Sequence, residues 1–273
     1  MKRKPFVAGQ FYPAGRKELR ETIAGVVDPS AAPRKAIALV SPHAGYVYSG
    51  PVAGAVFSSA RIPGTCVILG PAHREIDALF AIQVRGSWLT PLGESPIEET
   101  LASRIVAACP LVEENEQAHL GEHSLEVQLP FIQYFRDDAS IVPICVSYEA
   151  RYDDLETLGR AVAGAIRDWG RETLIVASTD MSHYVSRTTA EKKDMLAVRK
   201  VLDLDPAGLF ETVTSERISM CGFQPTTAAL VASLTLGASE ATLVRYGTSG
   251  DASGDYSQVV GYAGIRISEK GVL

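Results

Sequence analysis

Residues 36–49 read AIALVSPHAGYVYS: five apolar residues followed by Ser41-Pro42-His43-Ala44-Gly45. An apolar run stopped by Ser-Pro and Gly predicts a buried strand that ends abruptly. His43 is thereby delivered at the strand's end, where open α/β sheets place their ligand sites. The layout recurs twice. Cys66 to Gly70 (CVILG) runs into Pro71-Ala72-His73, and Thr173 to Ser178 (TLIVAS) runs into Thr179-Asp180-Met181-Ser182-His183. Three of the five histidines thus follow an apolar strand, which points to one shared site.

Around these strands the chain alternates with helical patterns. Small residues over Pro51–Ala60 predict a helix packed close to the sheet, and Ala78–Val84 predicts a more exposed strand. Ser95-Pro96 with Glu98 predicts a helix start, running to about Ala108. Leu125, Leu129 and Ile132 fit an amphipathic helix that Pro130 kinks or bounds. Ser140–Val146 reads as a strand and Asp153–Trp169 as a helix, followed by helices over about 188–203, Pro206–Glu216 (capped by Asp205) and about 224–236. Thr242–Tyr246 and Val259–Ile267 read as closing strands, joined by a flexible Gly/Ser loop. The alternation predicts an α/β sandwich with a central, mostly parallel or mixed sheet between helical layers. No linker or charge run divides residues 1–273, so a single domain is expected.

With 46% hydrophobic and 21% charged residues, the 273-residue chain has the composition of a well-cored globular protein. Its 26 basic and 32 acidic side chains give a net charge of −6, and no Lys/Arg-dense stretch suggests nucleic-acid binding. No run reaches membrane-spanning length, and the basic start is followed by no signal-peptide core; a cytoplasmic location is expected. The four cysteines, Cys66, Cys109, Cys145 and Cys221, lie far apart without a CxxC pair, which argues against a disulfide framework or zinc finger. Cys66 and Cys145 read as core thiols and Cys109 as structural, whereas Cys221 sits in the junction Ser219-Met220-Cys221-Gly222-Phe223-Gln224-Pro225.

Catalytic transition-metal sites take neutral imidazole, thiolate or carboxylate ligands and keep positions open. His43, His73 and Cys221 meet those requirements, and a helix following Cys221 would stabilise its thiolate. Two histidines and one anionic ligand leave about three positions free on an octahedral iron. Asp180 and His183 then act around that centre, one orienting and the other shuttling a proton. His123, beside Glu122, reads either as a helix-start residue or as a cleft-facing acid–base group; His119, in a polar stretch, reads as solvated. Tyr46 and Tyr48 read as packing, with a phenol beside His43 gating the cleft as the alternative. There is no GxSxG elbow, P-loop or GxGxxG fingerprint, although Cys221 with a histidine also suits nucleophilic thiol chemistry.

These residues carry a family resemblance. SPHAGY at 41–46, LGPAH at 69–73, EHSLEVQLPF at 122–131, TDMSH at 179–183 and MCG at 220–222 resemble the Memo-like family, whose prokaryotic members are called AmmeMemoRadiSam system protein B. That family is similar in fold to the LigB-type class III extradiol dioxygenases, which hold non-haem iron with two histidines and a glutamate. The resemblance implies His43 and His73 at the histidine positions and Cys221 at the carboxylate position. It puts His183 at the acid–base position with Asp180 beside it, and His123 in the same cleft. It further implies a mononuclear Fe(II) cofactor, with copper as the alternative, and oxidoreductase or redox chemistry on a small-molecule or peptide ligand. A functional link to a radical S-adenosylmethionine protein and an AMMECR-type protein is implied too. The departure is the sulfur ligand, softer and more oxidisable than a carboxylate, so dioxygenase activity does not follow from the fold. A non-catalytic module that binds a peptide or protein in the same cleft is the alternative.

Overall fold

A computed structural model describes residues 1–271. Among these residues, twelve strands and nine α-helices follow one another, starting with β1 (Lys2–Arg3), α1 (Arg16–Ala24), β2 (Ala38–Ser41), α2 (Tyr46–Ser58), β3 (Thr65–Pro71), β4 (Phe80–Ile82), β5 (Ser87–Thr90) and β6 (Gly93–Pro96). The middle of the chain holds α3 (Glu99–Ala108), β7 (Val112–Glu114), α4 (Leu129–Phe135), β8 (Ser140–Val146), α5 (Tyr152–Trp169), β9 (Leu174–Ser178) and β10 (His183–Val185). It closes with α6 (Arg187–Leu202), α7 (Pro206–Ser215), α8 (Phe223–Thr235), β11 (Glu240–Thr248), α9 (Gly250–Ser253) and β12 (Val259–Ser268).

Nine strands form the main sheet in the order β10-β12-β2-β9-β3-β8-β4-β7, with β11 paired to the other side of β12. The centre β2-β9-β3-β8 is parallel, and antiparallel partners flank it. Each central strand is apolar at nearly every position because helices cover both faces. Helices α1, α2 and α4 pack together on one face, while α3, α5, α7 and α8 form the other layer. A small second sheet, β1-β5-β6, ties the first residues to the middle of the chain.

The sandwich matches the pattern read from sequence, and so do most of its elements. Asp205 caps α7 by accepting from the Gly208 N–H at 2.8 Å, as its position before Pro206 predicts. Two local expectations fail for tertiary reasons. The β4 stretch is fully buried, because β8 and β7 pair with it on both edges. Ser95 and Pro96 do not open a helix; they end β6, and α3 begins at Glu99. Of the two roles open to Pro130, it takes that of the boundary: it sits in the first turn of α4, after a separate 3₁₀ turn over Glu126–Gln128. The loop between β11 and β12 also contains a short helix, α9, where the glycines and serines suggested only flexibility. Among the described residues, no helix is long and apolar enough to cross a membrane.

Candidate metal centre

The four parallel strands β2, β9, β3 and β8 are adjacent and end on the same edge, at Ser41, Ser178, Pro71 and Val146. Two residues beyond those ends stand His43, Asp180, His73 and Tyr148. One rule, strand end plus two, therefore brings four functional side chains to the carboxyl edge. A fifth contributor, His123, comes from the loop that precedes α4.

The ligand atoms of His43, His73 and His123 all lie within 4.8 Å of one another. The His73 and His123 rings stack at 4.4 Å, and the His43 ring stands edge-on to both, at 5.2 and 5.4 Å. His43 is buried, whereas His73 and His123 are partly open to solvent, so the group has a closed floor and an accessible mouth.

Hydrogen bonds select the ring tautomers. The Ser178 hydroxyl donates its one proton to the Ser124 carbonyl at 2.6 Å, so toward the His43 Nδ1, 2.9 Å away, it acts as acceptor. His43 is thus protonated on Nδ1 and presents a bare Nε2. The Nδ1 of His73 lies 2.9 Å from Glu122 Oε1 and donates to it. His183 follows the same rule, its Nδ1–H donating to the Ser219 carbonyl at 2.9 Å. Three imidazoles therefore carry a proton on Nδ1, which in the neutral ring leaves the Nε2 lone pair available, as in metal-ligating histidines.

Electrostatics supports neutral rings at His43 and His123. Burial, then the neighbouring His123 and His73, holds the His43 pKa well below its ordinary value. Burial likewise lowers His123 to about 4, against the pull of Glu122. Burial alone would raise the Glu122 carboxyl, but the hydrogen bond from His73, the positive charge that the His73 and His123 rings carry in acid, and the Ser124 N–H outweigh it and hold it at about 2. A fixed anion thus lies directly behind two of the imidazoles. Burial raises Asp180 to about 6, with the His43 and Ala44 N–H groups opposing it.

Cys221 reaches the same place from the loop before α8. Its sulfur lies 3.2 Å from His43 Nε2 and accepts the Asp180 N–H at 3.3 Å. Gly222 allows this approach: its N–H donates to Thr179 Oγ1 at 2.9 Å, and any Cβ there would collide with the Ser178 carbonyl oxygen. The sequence suggests a thiolate stabilised by the helix, yet burial and the nearby Asp180 carboxylate push this thiol's pKa up. In the absence of a cation the sulfur carries its proton; a coordinated metal ion would displace it.

Of the sequence candidates, His43, His73 and His123 are brought together, and Cys221 and Asp180 both contact His43. Asp180 Oδ1 accepts the His43 backbone N–H at 2.8 Å, while His183 is held by Ser219 through its N–H and Nδ1. Glu122, Ser178 and Tyr148 are the residues that sequence reasoning missed. Tyr148 stands half-exposed with its ring 6.4 Å from that of His73. His119, read as solvated, is fully buried: its carbonyl accepts from Arg3 Nε at 2.7 Å, its Nδ1 lies 3.4 Å from the Cys145 sulfur, and Trp88 packs edge-on against its ring.

The sequence matches the family model described as "Memo-like protein" over residues 3–266. The chain belongs to the Memo-like family. A MEMO1 family protein of Methanopyrus kandleri is 42% identical over 282 residues, covering 97% of this chain and 98% of that protein. Another, of Methanothermobacter thermautotrophicus, is 40% identical and covers 96% and 99%. Among solved structures, the crystal structure of the uncharacterized protein JW3007 from Escherichia coli K12 superposes with a TM-score of 0.50 at 15% identity, over 83% of this chain and 98% of that one. At that identity the match concerns the fold, which it places in the same α/β sandwich class. For this Memo-like chain, the group of three histidines, His43 buried and His73 and His123 partly open, could hold a metal ion.

Proposed function

We propose that this Memo-like protein is a mononuclear metal protein, with Fe(II) the preferred ion and copper the alternative, whose cleft supports redox chemistry on a bound organic ligand. The observation that carries the reading is the pair of bare Nε2 atoms on His43 and His73. Each is fixed by a proton committed elsewhere, to Ser178 and to Glu122. Neutral nitrogen donors backed by a carboxylate and a hydroxyl suit a divalent first-row transition metal better than magnesium or calcium. His43 and His73 would hold the ion, with the Cys221 sulfur or His123 completing a three-ligand face; a soft thiolate favours Fe(II) or copper. Such a face leaves positions open, and when bound the ion would supply Lewis acidity and one-electron chemistry there.

The surrounding residues have definable tasks. Glu122 orients His73 and raises its donor strength. Asp180 fixes the loop that carries His43. His183, whose Nδ1–H is held by the Ser219 carbonyl, would accept or return a proton through Nε2. Tyr148 contributes a phenol at the mouth, beside His73.

Anaerobic reconstitution with Fe(II), followed by metal analysis and absorption spectroscopy, tests the reading. It expects about one ion per chain, absent in His43→Ala, and a thiolate-to-metal band that Cys221→Ser removes. Stoichiometric binding unaffected by His43→Ala would sink it. A metal-loaded protein whose band survives Cys221→Ser would instead assign the third position to His123.

A further inference from the structure

A second cavity, of about 980 Å³, lies on the α2 face of the sheet, away from the histidines. Its floor is β11 and β12, one wall is the segment from Gly25 to Arg34, and the other is the α2 stripe Pro51, Ala55 and the following Ser59. The helix comes close because β12 has Gly264 beneath it, where a Cβ would crowd Val56 and Val52.

Three arginines line this space: Arg34, Arg245 and Arg266. The register puts two of them on one face of the sheet. Arg245 pairs with Gly264, and Arg266 is two residues beyond Gly264 on the same strand. Among the described residues none of the three forms an ion pair, and their side chains make a single hydrogen bond, from Arg266 Nη1 to the Ser59 carbonyl at 3.2 Å. Arg266 Nε is buried with no acceptor at all. An orphaned donor on a cation, inside a concave wall shared with two other guanidinium groups, is the kind of vacancy an anion resolves.

Two carboxylates share the cavity, and neither answers that demand. Asp28 is occupied by the Ser30 N–H and hydroxyl, at 2.9 and 2.7 Å. Glu240 faces Arg266 but approaches none of the arginines closely enough to pair. Burial and the like charge of Arg34 also press on the Arg266 guanidinium and lower its pKa, which marks its positive charge as undercompensated.

We propose that this cavity is a binding site for a small oxyanion-bearing ligand, a phosphate or carboxylate compound gripped by Arg266, Arg34 and Arg245. Its volume falls within the range that encloses small organic ligands. The site is independent of the histidine cluster and draws on different residues.

Calorimetric titration of the full-length protein at low ionic strength, with inorganic pyrophosphate in one arm and citrate in the other, tests this and separates a phosphate from a carboxylate preference. The expected result is one saturable site for at least one of them, weakened about tenfold or more by Arg266→Gln and by Arg34→Gln. Glu240→Gln is expected to tighten binding, because it removes the competing negative charge. His43→Ala is expected to leave it unchanged. Arg34 is exposed, so its variant decides the matter should Arg266→Gln fold poorly. Absence of saturable binding in both arms would overturn the proposal. So would affinity indifferent to Arg34→Gln, or affinity lost in His43→Ala, which would place the anion at the histidines.

Discussion

Glu122 grips His73 twice: one carboxylate oxygen accepts the backbone N–H at 2.6 Å and the other accepts Nδ1–H at 2.9 Å. The two bonds fix both the position of the residue and the rotation of its ring, so a single acidic side chain presets the direction of the Nε2 lone pair. The same oxygen that holds Nδ1 also accepts the Ser124 N–H at 2.7 Å, which anchors the carboxylate itself.

Replacing this carboxylate should therefore be felt at the metal before it is felt by the fold. Glu122→Gln is expected to weaken Fe(II) binding roughly 10- to 100-fold, the usual effect of losing an outer partner of a ligating histidine. Competition with a chromophoric chelator gives the affinity, and circular dichroism checks the fold. Unchanged affinity would mean that His73 needs no support from Glu122.

The loop that carries Glu122 and His123 is held from below by a buried ion pair. Arg3 Nη1 meets Glu126 Oε2 at 2.6 Å with both side chains fully buried, and Arg3 also donates to the carbonyls of His119 and Glu122. Glu126 collects the Phe6 and Val7 N–H groups and the Tyr12 hydroxyl as well. Breaking such a pair from one side leaves a buried charge, so Arg3→Met should cost about 3–5 kcal/mol. Urea unfolding measures it; a loss below about 1 kcal/mol would place the pair in the class of surface bridges.

His119 should make the protein acid-sensitive. Burial, reinforced by Arg3, lowers its pKa to about 3 in the fold, against about 6.5 in an unfolded chain. Between those values the unfolded chain binds the proton and the fold does not, so its contribution is intact above pH 6.5 and declines as pH falls toward 3. The expected slope is up to about 1.4 kcal/mol per pH unit over that window. Urea unfolding of wild type and His119→Gln from pH 7 to pH 4 should diverge, with the variant losing less stability on acidification. Parallel curves would refute the assignment.

At Gly222 the prediction is steric. A methyl group there would overlap the Ser178 carbonyl and the Thr179 side chain, and the loop carrying Cys221 would have to move off β9. Gly222→Ala should cost about 1–3 kcal/mol, the typical cost of overpacking, and should abolish any thiolate-to-metal band while leaving His43 and His73 in place. Retention of the band would show that the loop yields without displacing the sulfur.

The sequence is most legible where one signal dominates. Ser140–Val146 is a strand in the structure with the bounds its apolar run suggests, and α5 spans Tyr152–Trp169 with Leu155, Leu158, Val162 and Ile166 buried along one stripe. Legibility fails where distant partners decide. His119 sits in a polar stretch but is buried by Arg3, Trp88 and Cys145, more than 25 residues away in each case. Ser95-Pro96 has the chemistry of a helix start, yet β5 recruits it as a strand partner. Glu122 stands in the sequence only as the neighbour of His123, because nothing local shows that it meets His73.

The sequence by itself determined that His43, His73 and Asp180 would each stand just past the end of a buried strand, because proline, glycine and polar residues stop an apolar run through short-range backbone preferences. Only the tertiary structure decided that those strands lie side by side as β2-β9-β3 with their ends on one edge, and that His123 and Cys221 join them from elsewhere. The tautomers too are a tertiary result. A ring nitrogen takes its state from the group it touches, and here those groups, Ser178 for His43 and Glu122 for His73, lie 135 and 49 residues away along the chain.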